Sequence, residues 1–237
     1  MVALQESVQL PAKRPKKRQG WWLLPLAVVV LATLAYMLQP YVPPDMQHSR
    51  ITPRSGPHFC LLVAHIGTAA IATITGLLQF WPWLRNNHPK THRWTGRAYF
   101  FVGVFPSTIL AIPVAALSVF GAANMAALYA FDICWLVTAI AGYRAARQRR
   151  FADHRRWMIR NYAVTLGSVF SRFWQPVVAF AVISMADTDI YRGSEVAIAH
   201  DIASGSAWLG LVVNLIVAEA YIQRRYGIPK RTRTSVA

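Results

Sequence analysis

Apolar positions along this chain fall into six runs of about 19 to 25 residues, at 21–39, 59–83, 98–120, 125–143, 162–185 and 202–222. None alternates with the period of two that a half-buried strand requires, and each is long enough at 1.5 Å per residue to cross a hydrocarbon layer roughly 30 Å thick. Within lipid, a single crossing segment can satisfy its backbone N–H and C=O groups only as a helix. The pattern predicts an all-α, polytopic bundle of six transmembrane helices, with a membrane domain over 21–222 and polar basic tails at 1–20 and 223–237. The N-terminal tail, with Pro11 and Pro15, is expected to be disordered, and the first run is expected to be an uncleaved anchor rather than a secretory signal.

Charge gives the bundle an orientation. The clusters Lys13–Arg18, Arg85–Arg97, Arg144–Arg160 and Arg224–Arg233 all fall on one side of the alternation that the runs define. The other side holds Arg50, Arg54 and Arg192 among the acids Asp45, Asp187, Asp189, Glu195 and Asp201. A Lys/Arg bias of this kind marks the cytoplasmic side, so both termini are expected inside the cell. Composition agrees: 55% of residues are apolar and 14% charged, against about 25% charged in soluble domains. The net charge of +16 punctuates apolar runs instead of forming a basic face, which argues against nucleic acid as a partner. Cys60 and Cys134 make neither a disulfide framework nor a metal knuckle.

Two basic loops echo one another. Trp94, Arg97 and Tyr99 recur as Trp157, Arg160 and Tyr162 in a W-x-x-R-x-Y pattern, and Pro113 and Pro176 follow at matching distances, while His92 and His154 are offset by one. Spans two and three, and spans four and five, then read as two hairpins of a parallel repeat. Each copy joins a helix N-terminus, an arginine fork and an interfacial tryptophan, a set that suits an anion such as a lipid phosphate. The plainer reading, topology signal plus aromatic anchor, stands beside it.

Polar groups inside the runs carry the remaining chemistry. Asp132 and Arg172 lie at similar depth on neighbouring spans, which predicts an intramembrane ion pair, read first as an architectural clasp and second as a proton relay. Glu219, near the end of the last span, is within reach of Arg97, Arg156 or Arg160. His65 lies nearly two turns inside the second span, read first as a satisfied hydrogen-bonding residue and second as a ligand.

The stretch with His65 and Gly76-Leu77-Leu78-Gln79-Phe80, then His92-Arg93-x-x-Gly96-Arg97, resembles the domain-of-unknown-function 2306 family of membrane proteins. His154-Arg155-x-Trp157-Met158-x-Arg160-x-Tyr162, with Arg172 and Pro176, is similar to that family's most recognisable segment, and Asn214 to Glu219 to its closing N-L-x-x-A-E pattern. The resemblance spans about 59–222 and implies a bacterial multi-pass membrane protein, hence the cell inner membrane, without implying an activity.

Three functions compete. The first is a non-catalytic bundle whose basic cytoplasmic face, through Arg97, Arg160, Trp94 and Trp157, holds anionic lipid headgroups or a partner. The second is a redox protein carrying haem b, with His65, His92 and His154 as candidate ligands; electron transfer is the one enzymatic activity this sequence suggests. The third is a proton-coupled transporter built on Asp132, Arg172 and His65, with Pro106 and Pro113 interrupting the third span. No hydrolase triad, phosphate-binding glycine loop or H-E-x-x-H signature occurs.

Overall fold

The computed structural model describes residues 20, 21 and 23–227. Of the expected basic tails, 1–19 and 228–237 lie outside the described residues, whereas the start of the second, from 223 to Tyr226, continues α8. Every regular element described is helical: α1 (Leu23–Leu38), α2 (Gly56–Phe80), α3 (Pro82–Asn87), α4 (Pro89–Ala98), a π-helical segment (Tyr99–Val104), α5 (Phe105–Ala116), α6 (Gly121–Arg147), α7 (Phe151–Ile183) and α8 (Glu195–Tyr226).

Five helices are long and apolar enough to cross a membrane, with α4, the π-segment and α5 counted as one continuous helix. The first expected span is the exception: α1 has 16 residues, about 24 Å of rise, where about 20 residues are needed. Each of the other crossing helices begins before its apolar run, and α6 and α8 also end beyond theirs. α7 begins at Phe151 rather than near 162 and α8 runs from Glu195 to Tyr226, so both carry their polar flanks in helical form.

The exterior of the bundle is apolar. Ile109, Ile133, Phe180 and Ile216 are 68, 62, 80 and 62% exposed, side chains that water would not tolerate in such density. α7 lies along α8 and α6, α2 along α5 and the π-segment, and α1 packs on α2 and α7. Gly167 and Gly210 let α7 and α8 approach closely, since a Cβ at Gly167 would stand 3.0 Å from the Gly210 carbonyl oxygen.

Proline shapes the third span. Pro106 has no N–H to give the preceding turn, and its ring crowds a carbonyl four residues back. The helix widens in response: the Phe105 N–H reaches back five residues to the Phe100 carbonyl, and Tyr99–Val104 becomes π-helical. Pro113 is carried inside α5 without a comparable bulge.

Register follows from the contacts between antiparallel α6 and α7. Gly142 faces Met158, Asn161 bonds Thr138 and Trp135, Trp135 bonds Thr165, and Gly167 faces Phe131.

Candidate basic-end site

The two W-x-x-R-x-Y copies fall near helix starts at the same end of the bundle, one on α4 and one on the first turns of α7. In both, the arginine guanidinium sits 5.0 Å from the centroid of the tryptophan ring three residues before it, over its face: Arg97 over Trp94, and Arg160 over Trp157. The tyrosines that close the pattern turn inward. Tyr99, fully buried, donates to Asn161 Oδ1 at 2.5 Å and stands 3.0 Å from Thr165 Oγ1, while Tyr162 donates to the Thr73 carbonyl at 3.0 Å. Each tyrosine therefore bonds to a helix of the other hairpin.

Their surroundings separate the copies. Arg160 donates to Glu219 through Nε and Nη2, and Asp153 pairs with Arg150 at 2.7 Å and with Arg156 at 3.8 Å. The sequence holds no acid between Asp45 and Asp132, so α4 has none nearby along the chain. Lys90, Arg93 and Arg97 recur along α4 at helical spacing with Trp94 among them, and these four residues line a pocket of about 330 Å³. Trp94 is 67% exposed there. A second cavity, of about 510 Å³, lies against α6 between Val137 and Arg144, with Arg150 and Trp157 on its rim.

The expected contact of Glu219 with a basic-end arginine is realised with Arg160. The Asp132–Arg172 ion pair is not: among the described residues no ion pair joins them, and Oδ1 of Asp132 is buried without a hydrogen-bond partner. Similar depth was the wrong criterion. The α6–α7 register sets Asp132 level with about Ser168, one turn from Arg172, and Arg172 has Tyr36, Tyr41 and Arg50 as its electrostatic neighbours.

The histidines divide into two places. His65 donates from Nδ1 to the Ser107 carbonyl at 3.0 Å, with Ser107 Oγ 3.1 Å away, which ties α2 to α5. His154 donates from Nδ1 to the Gly142 carbonyl at 2.9 Å. His92 has Arg85 and His154 as electrostatic neighbours, and its Nδ1 is buried without a partner. Gln79, on α2, bonds Thr95 of α4 at that same end, and His65 lies about 21 Å of helix rise from Gln79. His65 thus stands apart from the other two, and no single iron takes all three. Among the described residues no group of three or more His, Cys, Asp or Glu is placed to hold a metal ion.

Sequence reasoning missed the polar centre. Asn161 also donates to the Trp135 carbonyl and Thr138 Oγ1, both at 2.8 Å, and Trp135 Nε1 donates to Thr165 Oγ1 at 2.9 Å. The available signal was Asn161 and Thr165, four apart, beside the second W-x-x-R-x-Y pattern.

No curated protein and no solved structure matches the chain. A family model, described as a predicted membrane protein (DUF2306), matches residues 62–222, from α2 to the last turns of α8 and with both hairpins inside the match. The chain belongs to the DUF2306 family of membrane proteins.

Proposed function

We propose that this protein is a non-catalytic, six-span bundle of a bacterial inner membrane that holds anionic lipid headgroups at its cytoplasmic end, chiefly through α4. The observation that carries the reading is the stripe of Lys90, Arg93 and Arg97 around the exposed Trp94, with which no acid among the described residues pairs. Cations with an interfacial tryptophan on one face of a short helix match a phosphate layer above and acyl chains below. The arginine over the indole ring holds both groups at the same depth.

The orientation, with both termini inside the cell, rests on the Lys/Arg bias. α1 serves as the sixth span, reaching both headgroup layers with the residues that flank it. The two-hairpin repeat is supported by the matched Arg–Trp pairs and by the crossed bonds of Tyr99 and Tyr162. The two copies divide the work. Arg97 faces lipid, whereas Arg160, matched by Glu219, ties α7 to α8.

Lipid analysis of protein purified from mixed phosphatidylglycerol, cardiolipin and phosphatidylcholine micelles tests this reading. Wild-type protein should retain the anionic lipids preferentially, and the Lys90→Gln/Arg93→Gln/Arg97→Gln variant should lose that preference. An unchanged preference in the triple variant overturns the proposal.

A further inference from the structure

Asp132 is 8% exposed, its Oδ1 is buried, and no donor or cation of the described residues meets that oxygen. It is the twelfth residue of a 27-residue helix, about 17 Å of rise from the start of α6 and well inside the span. An ionised carboxylate in apolar surroundings without a partner is strongly disfavoured relative to its neutral form.

Its face of α6 is identifiable. Tyr129, three residues earlier, donates to the Ile112 carbonyl, and Tyr143, three turns later, packs on Phe100 and Phe101. Asp132 shares that face, and the same two contacts set it level with the middle of α5, where Pro113 leaves the carbonyl four residues back, at Ile109, without its helical donor. A neutral carboxyl brings an O–H donor to that side, whereas a carboxylate brings only acceptors.

At the level of Asp132, the described residues packed on α6 offer no compensating charge. α5 has no ionisable residue, and Tyr99 of the π-segment is bonded to Asn161. On α7, Tyr162 bonds Thr73 and Arg172 keeps to Tyr36, Tyr41 and Arg50. On α8 nothing ionisable lies between Asp201, bonded to Tyr191, and Glu219, paired with Arg160, and His200 donates from Nε2 to the Val119 carbonyl. On α6 itself the arginines, Arg144 and Arg147, lie three turns or more beyond Asp132. A metal cation needs several oxygen ligands, and no acidic or imidazole cluster surrounds this site.

We propose that Asp132 is a proton-binding site within the membrane domain, a carboxylic acid that takes its proton from water and holds it against α5. This is independent of the lipid reading, which rests on the cations of α4.

A hydrophobic carbodiimide tests it on the wild-type protein. The acid's proton passes to a carbodiimide nitrogen while its oxygen adds to the central carbon, and the resulting O-acylisourea rearranges to a stable N-acylurea. The Asp132 peptide should gain the mass of one reagent molecule, and labelling should fall about tenfold per pH unit once alkaline solution removes the proton. Infrared spectroscopy supplies a second readout: a neutral-carboxyl C=O band that shifts in D2O and disappears in Asp132→Asn. Labelling of the Asp132 peptide, or the band with its loss in the variant, supports the proposal. Absence of both overturns it, as does labelling that sodium ions suppress at fixed pH, which would assign the site to sodium.

Discussion

Arg160 grips a single oxygen of Glu219 with two guanidinium nitrogens, Nε at 2.9 Å and Nη2 at 2.7 Å, and so fastens the start of α7 to the end of α8. The side chains are 25 and 42% exposed, which limits what the bond is worth.

Removing either partner should therefore lower stability modestly. Double-mutant analysis of Arg160→Gln and Glu219→Gln by thermal unfolding in detergent should return a coupling of about 0.5–1 kcal/mol. Arg160→Gln alone should leave the preference for anionic lipid intact, because its guanidinium is already occupied by Glu219.

Gly76→Ala should be far more damaging. A Cβ at Gly76 would overlap the buried Tyr162 ring and come within 3.0 Å of Tyr99, in the packed centre of the bundle. Overpacking of this kind costs about 1–3 kcal/mol. Gly67, nine residues earlier on the same helix, has nothing within 4 Å of its would-be Cβ, so Gly67→Ala should be tolerated. Comparing the melting temperatures of the two variants checks the contrast.

Tyr99→Phe should weaken the bundle more than Tyr162→Phe. The Tyr99 hydroxyl serves Asn161, a fully buried amide, and its loss leaves Oδ1 without that donor. The Tyr162 hydroxyl meets only the carbonyl of Thr73, which lies inside the regular part of α2. Interhelical bonds in membranes average about 0.6 kcal/mol and reach about 1.7, and Tyr99 should fall toward the upper figure. Chemical unfolding of both variants in the same micelles measures the difference.

His65→Leu should also lower stability, by a similar amount, because His65 joins α2 to the Ser107 carbonyl of α5. Absorption between the near-ultraviolet and visible should not change with this substitution if the imidazole serves only that bond. A Soret band lost with His65 would give the residue a haem instead.

How much of this was readable in advance depends on which physical constraint acts. Lipid imposes length and apolarity on each span separately, so the helices were legible one at a time. The exception was α1, where the apolar run outlasts the helix. Helix ends drifted as well, because polar flanks such as Phe151 to Asn161 are helical but carry no hydrophobic signal. Pairing depends on rotation and register, which the runs do not encode. Glu219 found Arg160 because both sit near the same end, leaving few alternatives. Asp132 and Arg172 failed as a pair because depth leaves the face and the last turn open. The π-bulge follows from Pro106, which the sequence marks as an interruption without saying how the helix absorbs it.

The bonds around Asn161 limit how the bundle moves. Tyr99, Trp135, Thr138 and Thr165 meet it from three separate stretches of helix, and lipid offers no substitute partners. Sliding one hairpin past the other by a single residue would break the bonds of Tyr99 to Asn161 and Thr165 and that of Tyr162 to Thr73, leaving the bonds within α6 and α7 in place. Rocking about this point is the relative motion that keeps those crossing bonds, so it works as a pivot rather than a rail.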